Sequence, residues 1–185
     1  MGISDIFFAI CSRGLSKTFL AGLAALIKML LYPYSEVVVT ASTIPQAGII
    51  VEEKIRGELI KKLSPYLLYL YEKDYLIITN SDEGYKITCA LNGSTMRVLP
   101  CLDSSRGHRA NFIIYEETRL LKKTIIDSVF DKMSHPRQAI YYINNEKYNT
   151  KRWTEECQFI YITSARFKYE WFYNQFKKCV RINIP

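Results

Sequence analysis

Two short clusters in this chain combine residue types that could do chemistry together: Lys17-Thr18 at the head of one apolar run, and Glu116-Glu117 at the tail of another. The first closes the segment Cys11-Ser-Arg-Gly-Leu-Ser-Lys-Thr18. That segment joins a short apolar stretch to a Leu/Ala-rich one, where backbone N–H groups and a helix N-terminus can hold phosphates. Lys17 would reach the β- and γ-phosphates of a nucleotide, and the Thr18 hydroxyl would face Mg2+. The strict pattern GxxxxGK[ST] fails at Cys11 and at Ser16. Ser16 matters more, because a glycine there lets the backbone curl closely around phosphate. On these residues alone, a strand–turn–helix with an incidental Lys-Thr stays open.

Glu116-Glu117 follows Phe112-Ile-Ile-Tyr115, at the C-terminal end of a predicted parallel strand. Ligands of open α/β sheets bind at that edge. A nucleotide hydrolase needs one carboxylate there for the Mg2+ shell and one to orient the attacking water. Glu116 takes the first role, as a longer substitute for the usual Asp, and Glu117 the second. The alternative is a pair of solvated acids capping the next helix.

The elements needed to position these groups can be read along the chain. Ile6 to Ile10, Glu36 to Thr40, Asn111 to Tyr115 and Gln158 to Thr163 are short apolar runs that predict buried strands. Helices are predicted from Lys17 to about Leu31, from about Gln46 to Leu63, from Leu120 to Met133 and from Phe167 to Lys178. Pro33 stops the first, while Pro45 and Pro65 bracket the second. Between them, Tyr75–Thr79, Tyr85–Ala90 and Thr95–Leu99 predict short strands. The turns at Ser81–Gly84 and Asn92-Gly93 make them an antiparallel insertion over about 75–100. Strands alternating with helices imply an α/β fold, a mostly parallel sheet with helices on both faces.

Composition bounds the rest. A chain of 185 residues suits one domain spanning 1–185. Its 14 Tyr and 9 Phe give too much buryable surface for disorder. The net charge of +7 suits a polyanionic partner, nucleic acid before membrane, although the basic residues are scattered as in an ordinary basic domain. Five Cys without a CxxC pair, and only two His, argue against structural zinc and for reduced thiols in a cytoplasm. The most apolar stretch, Phe19 to Tyr32, carries Lys28 and is too short to span a bilayer. The start of the chain, with Asp5 and no basic leader, does not read as a signal peptide.

Taken together, these segments resemble the ATPase domain of phage terminase large subunits, the DNA-packaging motors. Ser12-Arg-Gly-Leu-Ser-Lys-Thr18 looks like the SRxxGKT form of Walker A in that family, which already dispenses with the first glycine. Ser105-Arg-Gly-His-Arg-Ala-Asn-Phe-Ile-Ile-Tyr-Glu-Glu117 places an Arg-Gly upstream of the Walker B acids, as is typical of these motors. Tyr161-Ile-Thr-Ser-Ala165 is similar to the family's short coupling motif. The resemblance covers roughly residues 6 to 180.

It implies a P-loop NTPase fold of the RecA/ASCE kind, with ATP and Mg2+ as cofactors and ATP hydrolysis as the activity. Ser12, Arg13, Gly14, Leu15, Ser16, Lys17 and Thr18 would hold the nucleotide, with Thr18 and Glu116 on the metal. Arg13 would sense the γ-phosphate, Glu117 would be the catalytic carboxylate, and Arg106 an arginine finger acting on a neighbouring subunit's nucleotide. Thr163, Ser164 and Ala165 would couple hydrolysis to motion. The implied partners are double-stranded DNA, the portal protein, the small terminase subunit and further copies in a homo-oligomeric ring, with no membrane, in the host cytoplasm. The family's nuclease domain has no counterpart in this sequence. Ser16 and Glu116 depart from the family's Gly and Asp, which keeps two rival functions open: a helicase-like P-loop ATPase, and a degenerate module that binds nucleotide or DNA with little turnover.

Overall fold

In the computed structural model, residues 6–12, 14–82, 84–135, 157–164 and 171–183 are described. The apolar runs form the strands β1 (Ile6–Cys11), β2 (Glu36–Ala41), β3 (Leu76–Ser81), β4 (Gly84–Cys89), β5 (Ser94–Pro100), β6 (Phe112–Tyr115) and β7 (Gln158–Ser164). They make one seven-stranded sheet in the order β1-β7-β6-β2-β5-β4-β3. β1, β7, β6, β2 and β5 are mutually parallel, and β4 and β3 continue antiparallel. One strand, β7, is inserted between β1 and β6, which is the ASCE arrangement. The antiparallel insertion is not a separate layer. It extends the far edge of the same sheet, and its last strand, β5, runs parallel to β2 on its inner side.

The side-chain alternation of a strand sends successive residues to opposite faces, so a strand buried on both faces is apolar throughout. Val37, Val39, Phe112, Ile114 and Ile162 pack on one face, against Ala21, Ala25, Leu26, Ile50 and Ile55. Val38, Ile113, Tyr115 and Tyr161 pack on the other, against Ile126, Val129, Phe130 and Phe172. Each fully buried large side chain such as Leu26 or Ile113 contributes roughly 1.5–3 kcal/mol. Helices therefore cover both faces, as expected from the sequence.

Helix α1 spans Lys17–Leu31. Its C-terminus is closed from outside, because Asn92 in the β4–β5 turn donates its side-chain amide to Met29 O and Leu30 O (2.9 and 3.1 Å). The same turn needs Gly93, whose φ is +70° and whose added Cβ would stand 2.8 Å from the Tyr34 ring. Helix α2 starts at Ile44–Gly48, with Thr43 as N-cap, and widens into a π-helix over Ile49–Leu63. Pro65 does more than end it. Ser64 and Pro65 are the N-cap and first residue of a further helix, α3 (Pro65–Glu72), in which proline needs no N–H partner. Helix α4 runs from Lys123–Ile125 through a π-turn at Ile126–Phe130 to Asp131–Met133. The last helix, α5, is described over Trp171–Asn183, so the start expected at Phe167 lies outside the described residues. No helix among the described residues is long and apolar enough to cross a membrane.

Candidate functional site

Parallel strands in register bring their exits to one edge. Cys11 pairs with Ser164, and Thr40 and Tyr161 both pair with Tyr115. The residues just beyond β1, β2 and β6, and the last residues of β7, therefore converge at the C-terminal edge of the sheet.

The exit of β1 is the loop leading into α1. Gly14 has φ +85°, and Ser16 takes the left-handed conformation (φ 47°, ψ 37°) that glycine adopts at least cost. Ser16 is the N-cap of α1 but makes no side-chain capping hydrogen bond, and the first turn has no acidic residue. The first N–H groups and the positive end of the helix dipole are thus left for an anion. The buried Lys17 ammonium donates to Ser12 O at 3.1 Å and stands 4.0 Å from Glu117 Oε1. Arg13 lies outside the described residues.

The exit of β6 holds the two carboxylates in different environments. Glu116 is 1% exposed. Thr18 donates to its Oε1 at 2.5 Å, and the Gln46 amide donates to its Oε2 at 2.8 Å. Burial pushes its pKa above the usual carboxylate range and Glu117's negative charge adds to that, while the Thr18 and Gln46 hydrogen bonds and the Lys17 charge oppose it. Glu117 turns out of the strand in the left-handed conformation (φ 45°, ψ 48°). Ser164 donates to its Oε1 at 3.1 Å. Arg119 Nε stands 3.4 Å from its Oε2, an ion-pair distance without hydrogen-bond geometry, so that buried oxygen has no hydrogen-bond partner.

The structure thus brings Ser12, Ser16, Lys17, Thr18, Glu116, Glu117 and Ser164 together. Thr163 lies one residue away with its buried hydroxyl without a hydrogen-bond partner, and Ala165 lies outside the described residues. Arg106 is not part of the cluster. It sits exposed on the loop after β5, paired with Asp103 at 2.8 Å. Leu15 is exposed at the loop tip. An apolar groove of about 300 Å3 runs beside the loop between β1 and α1, past Phe7, Leu20, Leu23 and Ile27. Lys17 also lines it, but the rest of the lining is apolar apart from Cys11, which does not suit a charged triphosphate.

Sequence reasoning missed Gln46, Ser42 and Arg119. Ser42 and Gln46 stand four residues apart, a spacing that brings side chains together on a helical turn. Their target, Glu116, is 70 residues further on, and no local pattern points to it.

Phosphate and a divalent cation fit these residues. The uncapped N-terminus of α1 and Lys17 suit the phosphate charge. Thr18 donates its proton to Glu116, which leaves hydroxyl lone pairs free beside a carboxylate. Among the described residues, no group of three His, Cys, Asp or Glu could hold a metal alone. A hydroxyl and one carboxylate, completed by phosphate oxygens and water, is the kind of shell that Mg2+ takes.

No protein-family profile and no curated protein sequence matches the chain. Solved structures do. The chain superposes on the large terminase of a thermophilic bacteriophage with TM-score 0.62 and 10% identity, over 96% of this chain and 38% of that one. A mutant form of the large terminase ATPase domain of Thermus phage P74-26 gives TM-score 0.62 and 14% identity, over 94% of this chain and 64% of that one. The first of these terminases, in complex with ATP-gamma-S, matches with TM-score 0.57 and 10% identity, over 96% of this chain and 37% of that one. The chain therefore spans less than two thirds of the length of these proteins. At such identities the likeness is one of fold: the chain has the P-loop α/β fold of phage large-terminase ATPase domains.

Proposed function

We propose that this chain is the ATPase motor domain of a phage-type large terminase, which hydrolyses ATP with Mg2+ to drive double-stranded DNA into a procapsid. One observation carries the reading. Thr18 stands on Glu116 and Lys17 beside Glu117, so the two clusters picked out by chemistry meet at the sheet edge where this fold binds ligands. Bound Mg2+ would supply charge neutralisation at the phosphates. Lys17 and the N-terminus of α1 would hold the phosphates, Thr18 and Glu116 the metal, and Glu117 would orient the attacking water and accept its proton.

The likeness to large terminases supports the further roles. Arg106, exposed on a surface loop, has the access that a finger acting on a neighbouring subunit requires. Arg13 would meet the γ-phosphate from the loop itself. Thr163, Ser164 and Ala165 would pass the state of the site to the rest of the domain, and the Ser164 bond to Glu117 supports that role. The portal protein, the small terminase subunit and a ring of further copies are the partners such a motor needs, and the charge of +7 suits DNA.

A second reading, a module that binds nucleotide with little turnover, is favoured by one feature: the non-glycine Ser16 held left-handed at the tightest point of the loop.

Nucleotide titration alongside phosphate release separates the readings. The motor reading expects Mg2+-dependent ATP binding and turnover, with most affinity lost in Lys17→Ala. Binding without phosphate release supports the second reading, and binding unaffected by Lys17→Ala overturns the site itself.

A further inference from the structure

Glu116 is longer than the aspartate that would usually face a phosphate-bound cation, and a longer side chain has more rotamers to lose. In this structure its carboxylate is nevertheless fixed at both oxygens, from two different elements. Thr18, in the first turn of α1, donates to Oε1 at 2.5 Å, and Gln46, in the first turn of α2, donates to Oε2 at 2.8 Å. Gln46 is fixed in turn. The Ser42 hydroxyl donates to its side-chain carbonyl, and its backbone N–H is 3.4 Å from the capping Thr43 Oγ1.

The chemistry sets the direction of this chain of bonds. An ionised carboxylate only accepts hydrogen bonds, so Gln46 must turn its NH2 toward Glu116. Its carbonyl then faces Ser42, which must donate. A leucine would fill a similar volume but leave Oε2 unheld. A glutamate would set a second negative charge against a carboxylate that burial already disfavours as an ion.

We propose that Gln46 is a positioning residue for the divalent-cation site. It holds Oε2 so that the longer Glu116 presents its carboxylate from one fixed rotamer beside the Thr18 hydroxyl. The inference rests on the nucleotide-site reading and deepens it. Gln46 touches neither nucleotide nor cation in this role, and it acts only through Glu116.

Partners that orient a metal-binding residue typically contribute ten- to hundredfold in metal affinity. The test is a titration of MgCl2 against binding of a fluorescent ATP analogue, with phosphate release followed in parallel and folding checked by thermal melting. Gln46→Leu should leave metal-free nucleotide affinity within about twofold of the parent. It should raise the Mg2+ concentration for half-maximal tightening about tenfold. Gln46→Glu should raise it further. The shorter carboxylate of Glu116→Asp withdraws from Gln46, so adding Gln46→Leu to Glu116→Asp should change little, a non-additive cycle. An unchanged Mg2+ requirement in a folded Gln46→Leu chain, or effects of Gln46→Leu and Glu116→Asp that simply add, overturns the role of Gln46 while leaving the nucleotide site intact. A parent chain without Mg2+-dependent nucleotide binding overturns the nucleotide-site reading, and this inference with it.

Discussion

The exits of β1 and β6 make the same unusual backbone move and are held in opposite ways. Each leaves a parallel strand through a non-glycine residue in the left-handed region, Ser16 at φ 47° and Glu117 at φ 45°. Such residues cost roughly 1–3 kcal/mol and persist where their surroundings over-determine them. At the β6 exit the surroundings are side chains. Ser164 and Arg119 take the Glu117 carboxylate, and the next residue, Thr118, donates its hydroxyl to Tyr115 O and Ile162 O at 2.8 and 3.2 Å. At the β1 exit, among the described residues, the contacts to other elements come from Lys17 and Thr18, just after the left-handed residue. Ser16 makes no capping bond, a Cβ added at Gly14 would meet nothing within 4 Å, and Lys17 is folded back on Ser12 O. The contrast teaches that the carboxylates are organised by side chains of the packed fold, while Ser16 holds its left-handed turn without a side-chain bond of its own.

That comparison can be broken or sharpened by substitution. The largest effect is expected at Glu117. If its carboxylate is held for water activation, Glu117→Gln keeps ATP bound while single-turnover phosphate release falls by about 10²–10⁴-fold. Loss of turnover in Glu116→Gln but not in Glu117→Gln would reverse the two roles.

A smaller effect is expected at Ser164, whose hydroxyl bond to Glu117 is one of the contacts holding that strained exit. Hydrogen bonds to charged groups are worth about 1.5–3 kcal/mol. Ser164→Ala should therefore slow phosphate release by roughly ten- to a hundredfold while nucleotide affinity stays near that of the parent. Equal losses in affinity and rate would mean that Ser164 acts on the loop rather than on the carboxylate.

The smallest effect belongs to Ser16. Replacing a left-handed serine with glycine relieves strain in the folded state but adds freedom to the unfolded chain. Ser16→Gly should raise stability by about 0.5–1 kcal/mol, read as a melting temperature higher by about 1–4 °C. ATP binding should tighten with it. Weaker binding in the glycine variant would mean that the Ser16 hydroxyl is an adapted phosphate ligand, and the β1 exit would then be as specifically built as the β6 exit.

Much of this molecule was legible in the order of its residues. The apolar runs at Glu36–Thr40, Asn111–Tyr115 and Gln158–Thr163 declare strands buried at the centre of the sheet, because side chains on both faces must avoid water. The run Ile6–Ile10 reads the same way but forms the edge strand β1, with Ile6, Phe7 and Ile10 exposed, since apolar content does not say which strand ends the sheet. Lys17, Thr18, Glu116 and Glu117 stand out as types, a Lys-Thr at a helix start and a pair of acids just past a strand end. Local signals were read less well where one residue serves two elements. Ser64-Pro65 ends the helix before it and starts α3, and a proline read only as a stop hides the second role.

Sheet order, and everything that depends on it, came from tertiary structure alone. β7 lies between β1 and β6 although it follows both in the chain, and only that placement puts Ser164 against Glu117. The same holds for Gln46, which reaches Glu116 because β2 and β6 are neighbours in register. Residue type and short-range periodicity are properties of a few consecutive positions, so the sequence by itself determined the strands, the helices and the reactive groups. Which strands become neighbours is settled by burying two apolar faces at once, a condition on the whole chain. The partners of Glu116 and Glu117 were therefore decided only when the sheet closed around them.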